Sequence, residues 1–121
     1  MKSISWNVRG LGSLQTTRRL QYFLKQQNSH MVFLMETKID KQRMERVRKS
    51  CGFLNGIEIE AEGSRGGLCL AWKEDINVTL RSFSKNRIDV MVKEENSYEE
   101  WRFTEIGGRS QSTMASKRGF Q

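Results

Sequence analysis

The sequence predicts an α+β domain in which a βαβ unit is followed by a meander of antiparallel strands. A change of hydrophobic period is the first reason. Apolar residues recur at helical spacing between short strand-like runs as far as Cys51, and with a period of two from Phe53 onward. The second reason is Met31–Met35, MVFLM, a continuous apolar run of the kind shown by a strand covered on both faces. It follows an alternating strand and a basic helix, which completes the βαβ pattern.

The opening strand spans residues 2–8, with Ile4, Trp6 and Val8 on one face and Ser3, Ser5 and Asn7 on the other. Gly10 and Gly12 break it. Ser13 can cap a helix in which Leu20, Phe23 and Leu24 form the apolar stripe and which ends near Asn28. After the buried run, Asp40 can cap a second helix with Met44, Val47 and Cys51 on one stripe, stopped by Gly52 and rich in bases at its end. Ile57, Ile59 and Ala61 then alternate with Glu58, Glu60 and Glu62, and residues 63–67 form a glycine-rich loop before a second buried run at Leu68–Trp72. Val78 and Leu80, then Ile88, Val90 and Val92, then Trp101 and Phe103 mark further strands, separated by turn-like groups at 73–75, 84–86 and 94–97. The pattern stops after Thr104. One domain is therefore expected over residues 1–106, with 107–121 as a disordered basic tail.

Of the 121 residues, 36% are hydrophobic and 29% charged, so a folded domain with a thin core is expected. No apolar run of about 18 residues and no secretory leader stands out, so the expectation is an intracellular protein, nuclear or cytoplasmic, with no membrane partner. Cys51 and Cys69 lie within apolar patterns and are expected as core residues. With His30 as the one histidine, an ordinary structural zinc site is excluded. The net charge is +7, and its distribution is uneven: +8 over residues 1–50, −4 over 51–106 and +3 over 107–121. A basic N-terminal unit suits either a solvated helix face or contact with nucleic acid, and charge alone does not separate the two.

Two polar residues fall where the strands of the βαβ unit end, Asn7 and Glu36. In a parallel pair these positions are neighbours at the carboxyl edge, where open α/β sheets place ligands. A carboxylate beside an amide suits Mg²⁺, a hard cation that takes oxygen ligands and keeps several waters. Glu36 would then be the metal ligand, Asn7 would hold the phosphate or a metal-bound water, and Arg9 with the Gly10–Gly12 loop would admit a phosphodiester. Position alone leaves open that Glu36 caps the next turn and Asn7 satisfies a loop. His30 precedes the second strand at the opposite edge and reads as a turn histidine, the three tryptophans read as core, and Asp89 reads as solvent-side polarity.

Three segments, ISWNVRGLG at 4–12, FLMETK at 33–38 and RGGLCLAWK at 65–73, resemble in order and spacing the endonuclease/exonuclease/phosphatase superfamily with the deoxyribonuclease I-like fold. In particular they are similar to the N-terminal endonuclease domains of plant LINE-type retrotransposon polyproteins. The likeness covers residues 1 to about 104. It implies the N-terminal half of a four-layer α/β sandwich, with Asn7 and Glu36 as active-site and metal-binding residues, and Mg²⁺ or Mn²⁺ as cofactor. The implied activity is magnesium-dependent phosphodiester hydrolysis on nucleic acid, DNA above all. It also implies incompleteness. Gly107 stands where the family has an active-site tyrosine, and the family's later histidine, Asp-x-Asn and Asp-His residues have no counterpart beyond it. The expectation is thus a truncated, catalytically incomplete chain able to self-associate through an exposed half-sandwich. The alternative is a non-catalytic nucleic-acid-binding or functionless retrotransposon remnant.

Overall fold

A computed structural model describes residues 2–63, 65–95, 97–106 and 109–116. The chain runs β1 (Ser3–Asn7), α1 (Leu14–Gln27), β2 (Met31–Met35), α2 (Lys41–Ser50), β3 (Asn55–Ile59), β4 (Leu68–Trp72), β5 (Ile76–Ser84), β6 (Arg87–Glu94), β7 (Glu99–Ile106) and β8 (Arg109–Ser116). Both helix starts follow the capping chemistry of the sequence: Ser13 accepts from the Thr16 amide at 3.2 Å and Asp40 from the Arg43 amide at 2.8 Å. Asn28, left-handed at φ 49°, closes α1.

The strands form two four-stranded sheets, ordered β1-β2-β4-β3 and β5-β6-β7-β8. Parallel pairing of β1 and β2 across α1 is the expected βαβ unit. The antiparallel half divides differently from the expected single meander. The β3–β4 hairpin joins the first sheet, where β4 runs antiparallel to β2, and only β5 to β8 form a separate meander. The physical reason lies in LCLAW: a strand apolar on both faces needs cover on both, and only a central position between helices and a second sheet provides it.

Alternate residues of β2 serve the two covers. Val32 and Leu34, with Cys69 and Ala71 of β4, meet Leu20 and Leu24 of α1 and Met44 of α2. Met31, Phe33 and Met35, with Leu68 and Leu70, meet Ile88, Val90 and Val92 of β6 and Phe103 of β7. Helix layer, mixed sheet and antiparallel sheet are three layers of the expected four-layer sandwich. All three tryptophans are half-buried and pack against the core: Trp6 lies 4.5 Å from Phe23 between ring centroids, and Trp72 and Trp101 pack on the cluster between the sheets.

The α2–β3 contact is ionic. Glu58, a polar member of its alternation, faces the helix layer opposite Cys69, where its Oε2 accepts from Arg48 Nε at 2.7 Å. The two side chains are 7% and 5% exposed, and Arg48 also donates to the Phe53 carbonyl at 3.0 Å. Gly56 makes room for this, because a Cβ there would lie 2.2 Å from Arg48 Cδ and 2.9 Å from the Leu70 carbonyl oxygen. Glu58→Ala leaves a buried guanidinium uncompensated and is expected to destabilise the chain by about 3 to 5 kcal/mol in urea unfolding. A loss below about 1 kcal/mol would show the pair to be solvent-screened, as surface pairs are.

Asp89 also departs from expectation. It lies on the outer face of β6, yet it is 2% exposed. Arg102 donates to its two carboxylate oxygens at 2.8 and 3.2 Å and Thr104 at 3.1 Å, while Arg87 lies 3.6 Å away. Cross-strand neighbours on β7 cover it, and a period-two pattern cannot reveal them. The Arg102 hydrogen bond holds the Asp89 carboxyl below the usual carboxylate range, against the opposing effect of burial. A lowered folded-state value means the contribution to stability is present above the unfolded pKa of about 3.9 and is lost as the pH falls through the folded value. Asp89→Asn is therefore expected to flatten the pH dependence of the urea midpoint below about pH 4. An unchanged acid limb would exclude Asp89 as its source.

The tail expected to be disordered is corrected in part: residues 109–116 form β8, paired along β7 from Ile106↔Arg109 to Glu99↔Ser116. The free edge of β7 offers a full ladder of backbone partners, which a sequence without apolar alternation can still satisfy. Residues 107–108 and 117–121 of that tail lie outside the described residues. Among the described residues, no helix is long and apolar enough to cross a membrane.

Candidate phosphodiester and metal site

Strand direction brings four connections to one edge of the first sheet. β1 and β2 are parallel and end together, Asn7 beside Met35. β4 is antiparallel and so begins there, Leu68 opposite Met35. The turn between β5 and β6 reaches the same edge from the second sheet, because Lys85 and Asn86 line a cavity with Glu36, Gly66 and Gly67.

Asn7 and Glu36 meet as the sequence suggested. Asn7 Nδ2 donates to Glu36 Oε2, and Asn7 Oδ1 accepts from the Arg9 amide at 3.0 Å. Both side-chain ends of the asparagine are thus engaged, which orients one oxygen of the carboxylate from the first loop. The backbone around them is locked by cross-loop bonds: Gly10 N to Glu36 O at 2.8 Å, Leu11 N to Thr37 O at 2.9 Å, and Lys38 N to Gly66 O at 2.9 Å. Arg9, Glu36 and Lys38 all adopt left-handed backbone, at φ 54°, 53° and 58°. Non-glycine residues there cost of order 1 kcal/mol or more each, and such strain gathers at functional sites.

The glycine-rich loop does more than connect two strands. Gly67, at φ +90°, passes so close to the second loop that a Cβ would sit 2.3 Å from Thr37 Oγ1 and 3.2 Å from the Lys38 amide nitrogen. Its signal in the sequence is the double glycine directly before a buried strand, where backbone must approach backbone. That the Lys85–Asn86 turn converges on this edge carried no signal, because period-two patterns say nothing of which loops converge.

Residues of other chemical classes lie elsewhere. His30 stands at the opposite edge, with Nδ1 accepting from the Lys2 amide at 3.1 Å and Nε2 3.6 Å from Asp75. Asp75-Ile76-Asn77 has Asp-x-Asn spacing but starts at that distal edge, away from Glu36. Both cysteines are free; burial pushes the Cys51 thiol up to about 11 and the Cys69 thiol well above its ordinary value, so neither is a nucleophile near neutral pH. Among the described residues, no group of three or more His, Cys, Asp or Glu side chains could hold a metal ion. The donor set at the edge is one oriented carboxylate, which fits a cation that keeps waters and takes further oxygens from a phosphate.

Fold and edge together define a mixed α/β chain with a polar, strained site at the carboxyl ends of its parallel strands. No protein-family model matches the chain, and no curated protein matches it. Among solved structures the chain is similar to D. rerio TDP2 complexed with single strand DNA product. Identity is 18% and the TM-score 0.47, over 96% of this chain and 47% of that one, so this chain spans about half its length.

Gly67→Ala tests whether the site depends on the close approach of these loops. Clash and left-handed strain together are expected to lower stability by about 2 to 4 kcal/mol in urea unfolding. Wild-type stability in this variant would show that the loops separate freely.

Proposed function

We propose that residues 1–106 form the metal- and phosphate-binding part of a magnesium-dependent phosphodiesterase domain of the endonuclease/exonuclease/phosphatase superfamily, acting on nucleic acid and on DNA in particular. The observation that carries this reading is the Asn7 amide donating to the Glu36 carboxylate at the end of two parallel strands, among loops held in left-handed backbone. The three sequence motifs support it, since each falls on a segment that meets at this edge. The finer likeness to plant LINE-type endonuclease domains rests on those motifs and belongs to the same proposal.

On this reading Glu36 holds Mg²⁺ or Mn²⁺, and Asn7 keeps its carboxylate turned toward the ion. The ion, when bound, would stabilise negative charge on the phosphate oxygens. The chain's own residues bind and orient. Arg9 and Lys38 are exposed cations flanking the edge, which attract a polyanion. Gly107 occupies the place of the family's tyrosine, so the proposed chain binds metal and nucleic acid and is catalytically incomplete by itself.

A second reading, a non-catalytic nucleic-acid binder, is favoured by the +8 charge of residues 1–50 and by exposed Arg18, Arg19, Lys41 and Lys49 on the helices. Fluorescence anisotropy with a labelled DNA oligonucleotide, with and without Mg²⁺, separates the two. Under the first reading Mg²⁺ strengthens binding by the wild type and not by Glu36→Ala, and Asn7→Ala weakens the metal effect about tenfold or more. Binding that ignores Mg²⁺ equally in all three chains removes Glu36 from the site and leaves the charge-only reading. Plasmid nicking above the Glu36→Ala level would show the chain to be catalytic after all.

A further inference from the structure

We propose that the β5–β6 turn is a second phosphate-contacting element of the Glu36 site, with Lys85 as its cation and Glu62 as the carboxylate that holds Lys85 until a phosphodiester displaces it. This rests on the reading of the Glu36 edge as a phosphodiester site and extends that site to the second sheet.

Two adjoining hollows make the case. One, of about 260 Å³, is lined by Glu36, Gly66, Gly67, Lys85 and Asn86 among others. Its neighbour, of about 240 Å³, shares both glycines, Lys85 and Asn86 and adds Glu60, Glu62 and Arg65. A chain of phosphates leaving the Glu36 carboxylate along the bare backbone of Gly66 and Gly67 would run past Lys85. The Lys38 amide to Gly66 carbonyl bond of 2.9 Å keeps the floor of that path in place.

The turn is aimed at this position. Pairing of β5 with β6 shifts register between Leu80 and Ser82, a bulge at Arg81 that bends the end of the hairpin. Within the turn, Ser84 Oγ donates to Asn86 Oδ1 at 3.1 Å. That bond occupies the acceptor of the amide and leaves its N–H donors for an anion.

Lys85 lies 3.4 Å from Glu62, with the two side chains 75% and 65% exposed. An ion pair this exposed contributes little to stability, so Lys85 can exchange one oxygen anion for another. The same exposure means that substitutions at either position leave the fold intact. Glu62 therefore acts as a competitor: it keeps Lys85 beside the groove and weakens the groove's hold on a phosphate.

The test is anisotropy of a short fluorescein-labelled DNA oligonucleotide over a salt series in Mg²⁺, with circular dichroism as the folding control. Lys85→Ala is expected to weaken binding several-fold and to reduce the slope of log K against log[salt] by roughly 0.7 to 0.9, one phosphate contact. Glu62→Gln is expected to tighten binding, and the double variant to match Lys85→Ala. Affinity and salt slope unchanged by Lys85→Ala overturn the proposal, as does weaker binding by Glu62→Gln. If binding responds to Lys85 but not to Mg²⁺ or Glu36→Ala, the metal reading fails while Lys85 stands as a phosphate contact. If binding responds to Mg²⁺ and Glu36 but not to Lys85, this inference alone fails. No binding by the wild type at low salt overturns both.

Discussion

Everything in this chain is arranged around β2, five consecutive buried residues that expose nothing on either face. Such a strand cannot exist at an edge, since each side chain left in water would forfeit about 1.5 to 3 kcal/mol of burial. Its two faces recruit two covers of different kinds, helices over Val32 and Leu34 and a second sheet over Met31, Phe33 and Met35. Its two edges recruit β1 in parallel and β4 in antiparallel. The directions of those neighbours are what gather the site: a parallel strand ends where β2 ends, and an antiparallel one begins there.

Strain at that edge follows from the same constraint. Three connections must turn away within a few residues of the end of β2 and still satisfy one another's backbone groups. The bonds from Gly10 to Glu36, Leu11 to Thr37 and Lys38 to Gly66 do this, and they require left-handed conformations at Arg9, Glu36 and Lys38, residues with no special aptitude for them. Gly67 admits the contact by having no side chain. Over-determination by the packed sheet keeps these conformations populated, and the result is a carboxylate whose backbone and side chain are both fixed before any ligand arrives. Preorganisation of this kind lowers the cost of binding a cation.

The meeting of Asn7 and Glu36 was legible because both are polar residues at the carboxyl ends of two strands that a βαβ unit makes parallel neighbours. Caps at Ser13, Asp40 and Asn28 were legible for a similar reason: their chemistry is local. What escaped was non-local. Glu58 reads as the polar member of an alternation, and only the presence of α2 on that face, with Arg48 reaching past Gly56, turns it into half of a buried pair. Asp89 looks solvent-facing until Arg102 and Thr104 are brought alongside by β7. β8 needs no apolar alternation because its partner is the backbone of β7. Periodicity reports which face a residue occupies, whereas these roles depend on what another element places on that face.

The charge pattern gains meaning from this geometry. The acidic surplus of residues 51–106 is not spread evenly against the site: Glu58 is consumed by Arg48 and Asp89 by Arg102, while the Glu62 carboxylate meets exposed Lys85. On the proposed reading, Glu36 is the carboxylate that holds the metal, and a single carboxylate holds Mg²⁺ weakly unless phosphate oxygens complete the shell. Metal and nucleic acid would each raise the other's affinity by the same factor, as linkage requires. Neutralising Glu36 would therefore have opposed effects, removing a repulsion that acts without metal and an attraction that acts with it. The sign of its influence on nucleic-acid binding should invert with Mg²⁺, a behaviour that a uniformly basic surface cannot produce.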